Sequence, residues 1–373
     1  MVRWLAPVLD QYRTRASHGR GCVSRVSVEL LPDAPAEEVL AAIRAADDSA
    51  IDTVFCVDEI YHRDAWGLLA AAARETSRVR LALGVAHVTL RDPLLVAQQL
   101  ATLDELSRGR AAAAFSVGNL AMLEQFGRDP AELHPVRRLR EAHRAMRSLL
   151  DTGAVDLDGE FFRYRGVFTV ARPVARRVPL LLGAMSGPLV LRLAGEVADG
   201  VYAACSFSHE ALTFLIDNVR IGAERAGRDL AQLDLCVSLT AAVADDPVAA
   251  RRAARLKAAF YLPSMPQALI ERHGVPFSEI KPISAAFARG DVADALRRTP
   301  PELADRFCIA GTPEEVAERI NREILPAGFN HVSLALADAE IPRAWAGTEI
   351  PGLPTLSEQV RLIADRVIPL VTG

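Results

Sequence analysis

The feature that most constrains this chain is an alternation that begins near Val26 and continues almost to the end. Short apolar or β-branched runs are each followed by a stretch with amphipathic helical spacing. Repeated strand–helix units of this kind build a parallel sheet. Strand candidates fall at 26–31, 52–57, 79–86, 111–117, 179–182, 200–204, 233–240 and 331–336. Several are nearly continuous apolar runs, as strands covered on both faces must be. Eight such units in 373 residues predict one closed (β/α)8 barrel, the TIM-barrel architecture, enlarged through its loops rather than by a second core.

The helix starts carry a mechanism. Asp33-Ala34-Pro35, Arg91-Asp92-Pro93 and Gly311-Thr312-Pro313-Glu314 each precede a helical pattern. In each, an Asp or Thr oxygen is placed to accept from first-turn amides, and proline sits where no N–H is missed. Two stretches exceed a plain barrel. Residues 155–170, with DLDGE followed by FFRYRGVFTV, predict a β-hairpin before the fifth strand. Residues 258–307 predict a helical insertion before the eighth strand. It follows strand seven on the side where barrel loops build sites, so it is either a wall of the pocket or an oligomer contact. A short extension at 1–21 precedes a single domain at 22–373.

Composition narrows the function. A formal net charge of -4 offers no basic face for nucleic acid. No segment supplies the run of roughly 18 to 20 apolar residues that spans a membrane, and the arginines within 1–21 break any secretory-signal pattern. Cys22, Cys56, Cys205, Cys236 and Cys308 are widely spaced with no CxxC pair, which points to neither disulfides nor zinc and suits the cytoplasm. Nearly all positive charge is arginine; Lys257 and Lys281 are the only lysines.

The stretch SRVRLALGVAHVTLRDPLLVAQQLATLDELSRGRAAAAFSVGN resembles the third and fourth units of the luciferase-like oxidoreductases. RVPLLLGAMSGPLVLRLAGEVADGVY resembles their fifth and sixth units, and CIAGTPEEVAERI their last helix before the carboxy-terminal segment. Within that family the chain is most similar to the coenzyme F420-dependent methylenetetrahydromethanopterin reductases. VSVELLPD, the run from Asp58 to Asp64, DGEFFRYRG, IERHGV and DRFCIAGTPEEVAERI have counterparts there in the same order.

Flavin or deazaflavin chemistry needs a flat apolar slot for the ring, an anchor for the phosphate-bearing tail, and a substrate wall. Gly183, Ala184, Met185, Ser186 and Gly187 follow the fifth strand and open a helix, which leaves N–H groups for an anion. The resemblance makes this loop the anchor, with one residue more around Met185 than the reductases have. Gly84 and Val85 match a place where the family has a bulge with a non-proline cis peptide behind the ring. Ala86 and His87 continue it, with His87 either donating to the pyrimidine edge or capping a loop. Strand four ends in Ser116-Val117-Gly118-Asn119, where the reductases usually carry GAGD. The resemblance sets Gly118 and Asn119 beside the ring, and an amide there can hydrogen-bond a ring carbonyl but cannot act as a base.

The substrate wall falls to the first two strands. Glu29 stands where the reductases have glutamate, and a carboxylate in a barrel mouth is costly unless used or paired. Asp58-Glu59 stands where many relatives have Asp-His. Glu59 therefore becomes a candidate proton donor or acceptor if burial raises its pKa, the plainer reading being a solvated acidic loop. Glu29, Glu59 and Asp58 form the candidate catalytic set. Arg63 and Asp64 read as loop stabilisers, and His143, on a helix with Arg137, Arg138, Arg140, Arg144 and Arg147, as part of a solvated face.

The resemblance implies a coenzyme F420-dependent oxidoreductase that moves a hydride between the deazaflavin and a carbon or imine centre of a small molecule, without a metal and as a homodimer. Two alternatives stand beside it. One is an FMN-dependent monooxygenase using reduced flavin and oxygen; the other is a barrel that binds a flavin without turnover.

Overall fold

The apolar runs become parallel strands. In the computed structural model, residues 25–372 are described apart from 205–206, 341–342, 344–346 and 348. The extension expected at 1–21, with Cys22 and Cys205, lies outside the described residues. In chain order the strands are β1 (Arg25–Leu30), β2 (Thr53–Cys56), β3 (Arg80–His87), β4 (Ala111–Ser116), β5 (Ala154–Asp158), β6 (Arg163–Phe168), β7 (Leu180–Ala184), β8 (Gly200–Ala204), β9 (Asp234–Val243), β10 (Cys308–Gly311) and β11 (His331–Leu336). The main sheet runs β10-β9-β11-β1-β2-β3-β4-β7-β8, and β9 also pairs with β8. That last pairing closes a ring of eight parallel strands, with β10 attached outside it along β9. All eight expected barrel strands are present; β10 had been read only as the lead-in to a helix.

The helices lie between the strands: α1 (Ala36–Asp47), α2 (Ala65–Glu75), α3 (Pro93–Leu106), α4 (Leu120–Gln125), α5 (Pro135–Thr152), α6 (Pro188–Val197), α7 (His209–Arg225) and α8 (Pro247–Tyr261). The expected hairpin forms as β5 and β6, paired antiparallel outside the barrel. The expected insertion is helical, with α9 (Gln267–Arg272), α10 (Phe277–Ala288), α11 (Val292–Arg297) and α12 (Pro301–Ala304), before α13 (Pro313–Arg319) returns the chain to the barrel.

Two of the three expected caps hold. Asp92 accepts from Leu94 N at 2.8 Å, and Thr312 forms a full capping box with Glu315. The third does not: the N-cap residue of α1 is Pro35, which has no side-chain acceptor, so the helix starts without a side-chain cap, while the Asp33 carboxylate meets His62 Nδ1 at 2.6 Å.

Burial divides into layers. Val28, Leu30, Ile43, Leu69 and Leu100 belong to the shell between strands and helices. Phe55, Ala82, Ala114, Leu181, Tyr202 and Cys236 fill the barrel interior. The insertion has its own core around Leu262, Leu269, Ile280 and Phe307. Where β1, β9 and β11 meet, His331 holds both Asp234, at 2.9 Å, and Ser27 Oγ, at 2.6 Å. Burial alone would raise the Asp234 carboxyl, but His331 and Arg25 hold it down to about 2.

His143 is not on a solvated face. It is buried and stacked against Phe115 with centroids 6.2 Å apart. The arginines of α5 take the outer side, and the ring turns inward between Ala142 and Met146, which are also buried. Burial, with Arg147 nearby, depresses its pKa to about 4, and Nε2 has no protein partner. The folded state thus binds this proton less readily than the unfolded chain. Stability from this site is full above the unfolded histidine pKa near 6.5 and falls as pH drops toward 4, by ~3 kcal/mol in all. Denaturant unfolding at stepped pH should show a shallower acid loss for His143→Leu than for the native protein; equal slopes would contradict a neutral buried ring.

Candidate active site

The C-terminal ends of the barrel strands surround one cleft of about 350 Å³. A groove of about 430 Å³ between α1 and the carboxy-terminal helix is larger, but Arg44, Asp48, Ser49, Arg361 and Asp365 make its lining mostly polar, with only alanines as apolar surface. Chemistry rather than size selects the barrel cleft, where a mostly apolar lining meets a few convergent polar groups.

The ring-shaped part of the wall comes from β3. Its pairing with β4 slips between Gly84 and Ala86, so Val85 is the extra residue of a bulge. The Gly84–Val85 peptide is cis. The bulge directs the Val85 side chain to the cleft and that of Ala86 into the outer core, where it is fully buried. Ala86 therefore does not line the cleft, contrary to expectation, whereas Gly84, Val85 and His87 do. A Cβ on Gly84 would sit 2.9 Å from Phe55 Cβ, and one on Gly183 2.8 Å from Val85 Cγ1. A side chain at either position would have to displace Phe55 or Val85. Burial pushes His87 down to about 4, against the pull of Asp58, so its ring is neutral at physiological pH.

The anchor lies at one end. Gly183 to Gly187 line the cleft, and α6 begins at Gly187 with Pro188 in its first turn and no side-chain cap. The orphan amides of such a start favour an anion. Arg272, from α9, donates to Ser186 O at 3.4 Å, and Met185 packs on the insertion core. The insertion is therefore part of the wall. Its contribution starts earlier than position 258, with Lys257, Tyr261 and Ser264 on the cleft.

Proton-handling groups gather at the other end. Glu29 is met by the hydroxyls of Tyr202 and Ser238, both donating to Oε2. The Lys257 ammonium, fully buried, donates to Ala335 O at 2.9 Å and Leu336 O at 2.8 Å. Burial depresses its pKa, partly countered by Glu29. Glu59 also faces the cleft. Burial raises its pKa, with Glu29 and Asp58 adding to the rise and His62 and Asn119 opposing it. Asn119 Nδ2 donates to Glu59 Oε1 at 3.4 Å. The two positions where the chain departs from the reductase pattern thus touch each other.

Asp58 is not brought into the cleft. Arg91 engages it at 3.0 and 3.2 Å, and Trp66 Nε1 donates to it at 3.3 Å. That bidentate pair commits the carboxylate to holding the turn after β2 and removes it from the candidate catalytic set. Asp64 caps α2 through Gly67 N, and Arg63 donates to backbone carbonyls of Pro32 and Asp33. Tyr202, Ser238 and Lys257 were not foreseen. The first two lie in strands whose apolar runs hide which side chain faces inward. Lys257 did carry a signal, as one of two lysines in an arginine-rich chain.

An apolar slot with an uncapped helix start at one end and buried ionisable groups at the other is the lining that a flat cofactor with a charged tail would need. The family follows directly: residues 19–331 match the luciferase-like monooxygenase family, and the chain belongs to it. It is 29% identical over 349 residues to a 5,10-methylenetetrahydromethanopterin reductase of Archaeoglobus fulgidus, covering 92% of this chain and 99% of that protein. It is 31% identical over 273 residues to an F420-dependent glucose-6-phosphate dehydrogenase of Nocardia farcinica, covering 72% and 75%. The solved coenzyme F420 dependent tetrahydromethanopterin reductase from Methanopyrus kandleri superposes with a TM-score of 0.82 at 27% identity, over 93% of this chain and 99% of that one.

Tyr202→Phe should destabilise the fold by about 1–3 kcal/mol, since it withdraws a donor from a half-buried carboxylate. Urea unfolding monitored by circular dichroism reads this, and an unchanged midpoint would mean that the hydroxyl holds nothing.

Proposed function

We propose that this chain is a coenzyme F420-dependent oxidoreductase that transfers a hydride between the deazaflavin and a small organic substrate. The observation that carries the reading is the division of the cleft into an apolar slot with an uncapped helix start at one end and, at the other, a shielded Glu59 whose pKa burial raises. Similarity to reductases and dehydrogenases described as F420-dependent supports the same coenzyme.

The residues present fit that group. The amides of Ser186 and Gly187 would hold the phosphate of the tail, and Val85, packed close over Gly183, would back the ring. When bound, F420 supplies or accepts the hydride. The chain's own groups handle the rest. Glu59, its pKa raised by burial, holds a proton on its carboxyl for the atom next to the carbon being reduced, and recovers one in the opposite direction. The Asn119 amide fixes that carboxyl. Neutral His87 offers a hydrogen bond without adding charge, and the insertion limits water. Glu29 stands as a second carboxyl at the mouth, oriented by Tyr202 and Ser238.

The buried thiols of Cys56 and Cys236 suit a cytoplasmic setting, and among the described residues no helix is long and apolar enough to cross a membrane. A homodimer completes the proposal. The family's own description keeps the FMN-dependent monooxygenase as the second reading. Equilibrium binding of F420 and FMN side by side, with turnover of a ketone, imine and pterin panel under air and argon, separates the two. Tighter F420 binding with equal rates in both atmospheres should be seen. Tighter FMN binding with oxygen consumption would favour the monooxygenase.

A further inference from the structure

Behind Glu59, on the side away from the cleft, lies a second histidine that neither the apolar slot nor the tail anchor uses. His62 comes from the turn after β2, and its side chain is only 7% exposed. Nδ1 is 2.6 Å from Asp33 Oδ1, and Nε2 is 3.8 Å from Glu59 Oε2. One imidazole therefore stands between two carboxyl groups, one on the cleft and one in the turn after β1. Asp33 is fixed in turn: Arg63 donates to its carbonyl, and its own Oδ2 is buried without a protein partner.

We infer that His62, oriented by Asp33, is the positioning residue that exchanges a proton with Glu59. With Nδ1–H donated to Asp33, Nε2 is the ring nitrogen that faces the Glu59 carboxyl, 3.8 Å away. A proton moving from Glu59 Oε2 to His62 Nε2 leaves a carboxylate beside an imidazolium whose other N–H is still held by Asp33, and the reverse move restores the acid. No charge is gained or lost in the pair. After Glu59 has given its proton to substrate, a proton from solvent adds at Nε2, the one ring nitrogen that bears none, and passes to the Glu59 carboxylate. The other groups bearing on Glu59 are Glu29 from β1, Asp58 in its own turn and the Asn119 amide from the loop after β4. Arg91 is taken up by Asp58 and Asp64. The Tyr61 ring meets His62 edge-on at 6.5 Å.

This inference rests on Glu59 being the proton-carrying group of the proposed function, and its test needs no substrate. In protein labelled with ¹³C-carboxyl glutamate, the Glu59 resonance is assigned by its loss in Glu59→Gln and followed through a pH titration. His62→Gln removes the imidazolium that favours the ionised carboxyl, so the Glu59 midpoint should rise by about 0.5 pH unit or more. Asp33→Asn, close to isosteric, should raise it in the same direction. The double variant should go no further than His62→Gln alone, because Asp33 acts only through His62. Unmoved midpoints, or shifts that simply add, would overturn the inference. F420 binding to the native protein, measured alongside, fails independently if the coenzyme reading is wrong, while the titration still reports on the three side chains.

Discussion

A carboxyl group inside a closed barrel persists only if something meets it, and here Glu29 is met from across the interior. Its strand, β1, has β11 and β2 as neighbours, yet its partners are Tyr202 on β8 and Ser238 on β9. Burying an unpaired carboxylate costs several kcal/mol. Two hydroxyl donors remove most of that cost and draw three strands toward one point. The consequence is a polar spot in a well lined by Phe55, Ala82, Ala114 and Leu181. The floor of the cleft is thereby divided, with proton chemistry near β1 and β2 and apolar surface near β3 and β7.

The remaining parts follow from that division. The bulge in β3 sets Val85 against Gly183 and gives the slot its flat wall. The loop before α6 offers bare amides because no side chain caps the helix. The insertion then covers the mouth and brings in Lys257, whose ammonium is held by the carbonyls that end β11. A buried lysine survives because those carbonyls and the nearby Glu29 offset its desolvation. That contact, with Arg272 on Ser186 O, joins barrel, roof and site.

How much of this was legible in the sequence follows from what a linear pattern can encode. Strand and helix identity survive because apolar period and turn chemistry are local, so the barrel, the hairpin at β5 and β6 and the helical insertion could all be read. The chain positions of the mouth are local too, so Glu29, Glu59, Val85, His87, Asn119 and the loop from Gly183 to Gly187 fell on one cleft. Orientation is not local. The bulge turned Ala86 outward, Arg91 from a distant loop took Asp58, and an amphipathic helix rich in arginine still turned His143 inward. Tyr202 and Ser238 were hidden because inner and outer positions of a strand buried on both faces look alike. Asp33 failed as a cap because α1 starts two residues later, after Pro35, and the carboxylate met a tertiary partner, His62, instead.

The central claim is that the barrel mouth holds F420 with its tail at the start of α6 and its ring beside Val85. A crystal structure of the protein soaked with F420 tests it most directly. The account requires a phosphate on the amides of Ser186 and Gly187 and the deazaflavin against Val85, with the substrate side open toward Glu59. F420 bound elsewhere, or with its ring and tail reversed in the cleft, would contradict it.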